Sequence, residues 1–177
     1  MTSRPVLYIF AGLPGSGKST LSQGLARRRG AVHLRVDTIE QGLRDLCAFD
    51  VQGEGYRLAY RVAADNLRLG NSVVADSCNP IALTRTEWEQ VATDSGAGFV
   101  NIEVLCSDPA EHRRRVEDRD AGIPGLVLPT WSQVQAREYH PWTSDRIVVD
   151  SAHQTVEQSL DELTARLPPG LDESEET

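Results

Sequence analysis

Residues 12–20, Gly-Leu-Pro-Gly-Ser-Gly-Lys-Ser-Thr, set a glycine-rich turn directly after the unbroken apolar run at 5–11. Few chain geometries accept that combination. A run with no polar alternation suits a strand buried on both faces of a parallel sheet. The turn matches G-x-x-x-x-G-K-[ST], with Gly12, Gly17, Lys18 and Ser19 at the defining positions. Gly15 and Gly17 let the backbone curl so that successive N–H groups point inward, and the positive end of the following helix adds to their field. Such a cradle grips phosphate. The candidate nucleotide-binding residues are therefore Gly12, Leu13, Pro14, Gly15, Ser16, Gly17, Lys18, Ser19 and Thr20. The Ser19 hydroxyl is offered to Mg2+.

Lys18 is the chain's only lysine among 18 basic residues; the rest are arginines. An ammonium is a compact point charge on a thin stem and reaches over the loop to the β- and γ-phosphates. The wider, planar guanidinium fits that cradle poorly.

Beyond the loop, short apolar strands at 31–36, 72–75, 99–106 and 146–150 alternate with helical patterns. The helices are expected at 18–29, 38–49, 55–70, 80–96, 108–120, 129–139 and 155–167, with Leu58, Val62 and Leu69 buried in the third. Pro80 suits a first helical turn, and Asp108 and Thr130 suit caps. The pattern predicts an α/β fold: three layers, a five-stranded parallel sheet flanked by helices, and a short helical lid. One domain over 1–167 is expected, followed by an acidic, disordered tail over 168–177.

A net charge of −8 argues against nonspecific nucleic-acid binding, which needs basic surface to displace counterions. Four of the acidic residues (Asp172, Glu173, Glu175 and Glu176) lie in the tail, and without them the balance is still −4. That ranks a nucleic-acid end below a small molecule as partner. No apolar run approaches the ~20 residues of a membrane span. The first residues read as a strand rather than a secretory leader. Cys47, Cys78 and Cys106 show no motif spacing, and reduced thiols in a cytoplasmic protein, monomer or homodimer, are expected.

Three further groups carry chemistry. Asp76, at the carboxyl end of the third strand, is placed either to hold Mg2+ opposite Ser19 or to meet an acceptor together with Asn79. Arg115 and Arg119 stand one helical turn apart, followed by the flexible Asp-Ala-Gly-Ile-Pro-Gly run. They read either as lid residues or as a solvated face paired with Glu111, Glu117 and Asp118. Tyr56 and Tyr60 share a helical face and offer an acceptor wall, although packing is the commoner use of helical aromatics. Trp131, Tyr139, His140 and Trp142 form a late aromatic group suited to packing.

A guanine-reading N-K-x-D needs a second lysine, which the chain lacks. The strand ending in Asp76 continues with Ser77, not with the glutamate that activates water in motor ATPases. Both absences favour phosphoryl transfer to a bound acceptor over plain hydrolysis.

On Gly-Leu-Pro-Gly-Ser-Gly-Lys-Ser-Thr, Asp37, Val-Val-Ala-Asp-Ser-Cys-Asn-Pro and Arg-Arg-Arg-Val-Glu-Asp-Arg, the chain resembles the small P-loop kinases. That zeta-toxin-like group includes gluconate kinases, polynucleotide 5′-kinases and chloramphenicol phosphotransferase. The resemblance spans Val6 to about Ala152 and implies ATP as donor. It implies that Asp37 orients the acceptor hydroxyl and accepts its proton, beside the ordinary role of capping the next helix. It also implies that Arg115 and Arg119 neutralise charge from a lid. The polynucleotide kinases often carry Asp-x-x-Arg after the second strand. Here Glu40 stands at that arginine's place, and Arg44, one turn later, is the residue that could substitute for it, which leaves a nucleic-acid acceptor open. Glu40 repels a nucleotide phosphate and suits sugar hydroxyls or an amine.

The expected function is ATP-dependent transfer to a hydroxyl of a small metabolite or natural product. Polynucleotide 5′-end phosphorylation and a slowly hydrolysing regulatory ATPase are the alternatives.

Overall fold

A computed structural model describes residues 4–168; the N-terminal residues 1–3 and nearly all of the acidic tail lie outside the described residues. Strand β1 (Val6–Ala11) is the centre of the sheet, and all six of its residues are buried. Its side chains alternate between two cores. Val6, Tyr8 and Phe10 point into one, Leu7 and Ile9 into the other. This is why the segment has no polar alternation: neither face meets water.

Five strands lie parallel in the order β2-β3-β1-β4-β5. They are β1, β2 (Val32–Arg35), β3 (Val73–Asp76), β4 (Gly98–Leu105) and β5 (Ile147–Asp150). Helices α1 (Lys18–Arg29) and α7 (Val156–Arg166) cover one face through Leu21, Leu25, Leu160 and Leu163. Helices α3 (Glu54–Arg68) and α4 (Ala82–Asp94) cover the other through Ala59, Ala63, Leu67, Trp88 and Ala92. Helix α2 (Val36–Cys47) follows β2 without a connecting loop. Two short helices, α5 (Pro109–Glu117) and α6 (Trp131–Gln135), bracket a turn-rich segment.

Local signals fix several boundaries. Asp108 caps α5 by accepting from the Ala110 and Glu111 amides, and Thr130 closes a capping box on α6. Gly70, at φ 89°, ends the turn after α3. Two expectations need correction. Pro80 precedes α4, which begins at Ala82. The buried face of α3 is Gly55, Ala59, Ala63 and Leu67, whereas Leu58, Val62 and Leu69 face outward. Small residues let α3 approach its neighbours closely, and that outweighs the larger apolar side chains one position away.

The aromatic group packs, as its composition suggests. The Arg85 guanidinium lies 4.0 Å from the Trp142 ring centre and 4.9 Å from that of Tyr139. Trp131 meets His112 edge-on at 5.1 Å. Among the described residues, no helix is long and apolar enough to cross a membrane.

Candidate active site

The carboxyl ends of β1, β2 and β3 deliver Gly12, Asp37 and Asp76 to one edge of the sheet. There the chain between β1 and α1 turns through Gly12, Gly15 and Gly17, all at positive φ. A side chain is excluded at two of them by contact as well as by backbone. A Cβ on Gly12 would sit 2.3 Å from the Val104 carbonyl oxygen, and one on Gly15 would sit 2.5 Å from Val116 Cγ2. The loop is pinned from outside. The Ser151 hydroxyl donates to the Ser16 carbonyl at 2.7 Å, and His112 Nε2 lies 2.8 Å from the Pro14 carbonyl.

Lys18 opens α1, and its ammonium lies 2.6 Å from Asp76 Oδ1. Both groups are buried. Burial alone raises the Asp76 pKa, but the Lys18 ammonium, with Ser19 and His33, outweighs it and holds the carboxyl below its usual value. Asp76 Oδ2 is buried with no hydrogen-bond partner among the described residues. The Asp76 carboxylate and the neighbouring Ser19 hydroxyl offer hard oxygen donors that fit a magnesium ion. His33 Nε2 lies 3.8 Å from Asp76 Oδ2. Burial lowers the His33 pKa, with Asp76 opposing and Arg35 and Lys18 adding to the effect.

Two cavities meet here. The first, of about 600 Å³, is lined by the loop from Leu13 to Thr20 except Ser16, and by Arg35, Arg115 and Arg119. The second, of about 420 Å³, is lined by Asp37, Glu40, Arg44, Cys78, Arg137 and the apolar segment 126–129. Lys18, Pro14 and Arg119 line both.

Helix α2 begins at Val36 with no side-chain cap hydrogen bond. Asp37 is therefore no cap. It sits in the first helical turn, where the helix's positive end favours a carboxylate. Its carboxylate lies 4.0 Å from Arg119. Glu40, one turn on, is 3.6 Å from Arg44. Burial raises the Glu40 pKa, Asp37 adds to the rise, and Arg44 and Arg137 oppose it.

The two lid arginines part company. Helix α5 ends at Glu117, so Arg119 lies beyond it and not on the face shared with Arg115. Arg115 is bound by Ser151 Oγ at 2.7 Å, the Ser151 carbonyl at 3.0 Å and Glu111 Oε1 at 2.6 Å. Asn79 and Tyr56, expected at the acceptor, line neither cavity. Asn79 is wholly buried, its Nδ2 donating to the Phe10 carbonyl at 2.7 Å and its amide to the Tyr56 hydroxyl at 3.1 Å. Burial raises the Tyr56 pKa, so that hydroxyl stays protonated. Asp76 also lines neither cavity and lies beneath Lys18.

Sequence reasoning missed Ser151, Arg35, Arg137 and the apolar segment at 126–129. Only Arg35 carried a signal, as a charge inside an otherwise apolar strand ending at the site.

A phosphate loop with a buried lysine, at the edge of five parallel strands in this order, defines a P-loop domain with the fold of the small kinases. The chain belongs to the AAA_33 family, an AAA domain that matches residues 7–137. Among solved structures, a candidate kinase from Chloroflexus aurantiacus is 20% identical with a TM-score of 0.74, covering 93% of this chain and 100% of that one. The Mycobacterium tuberculosis APS kinase CysC, in complex with AMPPNP and APS, is 18% identical at TM-score 0.68, over 92% and 97%. A gluconokinase from Sinorhizobium meliloti is 17% identical at TM-score 0.65, over 92% and 91%.

Proposed function

We propose that this protein is a magnesium-dependent kinase that moves the γ-phosphate of ATP to a hydroxyl of a small molecule. One observation carries the reading. The cavity along the phosphate loop and the cavity holding Asp37 share Lys18 and Arg119 in their walls. A donor in the first and an acceptor in the second would meet between two cations. Both volumes fall in the range of small-ligand sites.

The chemistry follows from that placement. Phosphoryl transfer passes through a loose transition state, so positioning and charge neutralisation matter more than a strong base. Loop amides and Lys18 hold the β- and γ-phosphates. Ser19 and Asp76 would hold magnesium, which would supply charge neutralisation at the phosphates. Asp37 aligns the acceptor hydroxyl and receives its proton as the new P–O bond forms and the β–γ bridge breaks. Arg119, on the shared wall, balances the charge spreading over the moving phosphoryl group.

A small-molecule acceptor is favoured over a nucleic-acid end. No aromatic side chain lines the second cavity among the described residues, so a base has no stacking platform. Glu40 also stands where a substrate phosphate would need a cation. The three cysteines are unpaired, which supports a reducing, cytoplasmic setting.

The test is a screen with γ-labelled ATP and Mg2+ against hydroxylated metabolites, aminoglycosides and 5′-hydroxyl oligonucleotides. Label transfer to a small molecule is the expected result. Transfer only to oligonucleotide ends replaces the acceptor class. Tight nucleotide binding with slow phosphate release and no acceptor makes the protein a regulatory ATPase.

A further inference from the structure

Two buried polar atoms face each other at the site without bonding. Arg35 Nε and Asp76 Oδ2 are 3.8 Å apart, and neither has a hydrogen-bond partner among the described residues. An unmade bond between a buried donor and a buried acceptor is costly, and a shift of under about 1 Å brings the pair to normal length. The same guanidinium already holds the lid segment: Arg35 Nη1 donates to the Ala121 carbonyl at 2.8 Å. Ala121 is two residues from Arg119, which lines both cavities.

We infer that Arg35 is a positioning residue that ties the lid to the filling of the phosphate loop. The inference rests on the nucleotide-binding reading above. In the structure, Asp76 is balanced chiefly by Lys18 at 2.6 Å. A triphosphate on the loop draws the Lys18 ammonium toward its oxygens and frees Asp76 Oδ1 to turn to the metal, while Oδ2 of this almost wholly buried carboxylate still has no donor. Arg35 is the arginine next to that carboxylate, and its free Nε points to the orphaned oxygen. Closing that bond gives the orphaned oxygen its missing donor. Because a guanidinium is a rigid fork, it can bond Asp76 and Ala121 together. Movement toward Asp76 draws Ala121, and with it Arg119, over the junction of the cavities. Arg35 thereby acts on the reaction through Arg119 and not by touching the acceptor.

The experiment measures hydrogen exchange of the 119–126 segment, with and without Mg2+ and a non-hydrolysable ATP analogue, alongside calorimetry of the analogue. Wild type is expected to gain protection in that segment on binding. Arg35→Met, which keeps the length of the stem but loses charge and donors, is expected to lose that gain while its analogue affinity falls by no more than about tenfold. Arg35→Lys keeps a charge beside Asp76 but lacks the fork; it is expected to bind the analogue nearly as wild type and still leave the segment unprotected. Should Arg35→Met fail to fold, the lysine variant decides alone. Undiminished protection in Arg35→Lys overturns the inference, as does a loss of affinity in Arg35→Met beyond about a hundredfold, the mark of direct phosphate contact. No uptake of the analogue by wild type sinks the kinase reading itself, whereas uptake with unaltered lid protection in the variants sinks only the role of Arg35.

Discussion

The Lys18 ammonium and Asp76 Oδ1 form a buried 2.6 Å ion pair beneath the phosphate loop. The pair is stable as a unit, and removing one member strands the other. Asp76→Asn leaves a buried ammonium without its anion and is expected to cost about 3–5 kcal/mol. Chemical denaturation reads that loss. The folded-state pKa of Asp76 is depressed, so its contribution is present above the unfolded carboxylate pKa and fades as pH falls through the folded value. Wild type and Asp76→Asn should therefore converge in stability on acidification.

Lys18→Arg keeps the charge but widens the head group that must lie over the loop. Turnover is expected to fall on the order of 10³-fold or more, because a donor aimed at transition-state charge is displaced. A steady-state assay with the acceptor found by the label screen checks this; a near-normal rate would remove lysine's special role.

Asp37 lines the second cavity and not the one along the glycine-rich loop, and it is not consumed as a helix cap. Asp37→Ala is expected to lower kcat by about 10²–10⁴-fold. The calorimetric affinity for nucleotide should stay within about threefold, since no uniform binding contact to the donor is lost. Loss of nucleotide binding instead would give Asp37 a structural or metal role.

Ser151 bonds both the Ser16 carbonyl and Arg115, and so clamps the phosphate loop to α5. Ser151→Ala leaves a buried carbonyl and an arginine donor unpaired, a cost of about 1–3 kcal/mol. The expected signature is a raised KM for nucleotide with a smaller change in kcat, together with a lower melting temperature.

Glu40 is held by burial at a pKa above the ordinary value. The folded state thus binds that proton more tightly than the unfolded chain. Its contribution to stability is complete below the unfolded pKa and is lost as pH rises through the folded one. Glu40→Gln has no proton to lose, so it should melt a few degrees above wild type at neutral pH, by about 2–4 °C. The gap should narrow toward pH 4. A melting-temperature series across pH measures it.

Features written within a few residues were legible in the sequence. The loop motif, the buried first strand, the Asp108 and Thr130 caps and the five-strand alternation follow from local pattern. Asp37, Glu40, Arg44 and Arg119 do gather around one cavity. What escaped depends on contacts between distant segments. Ser151 is an unremarkable serine until the sheet brings it 135 positions back to Ser16. Asn79 has the look of a loop ligand, yet the β1 carbonyl edge claims its side chain. The inward face of α3 was misjudged because side-chain size pointed to Leu58 and Val62, while close approach selected glycine and alanine.

That close approach reaches the second cavity. A Cβ on Gly55 would lie 2.2 Å from Glu40 Cγ, so the carboxylate rests in space that only a hydrogen leaves free. Adding one methyl at position 55 would reshape that wall while leaving Lys18 and the glycine-rich loop in place. The shape of that cavity can therefore drift in this scaffold through helix spacing alone, with the loop and its lysine unaltered.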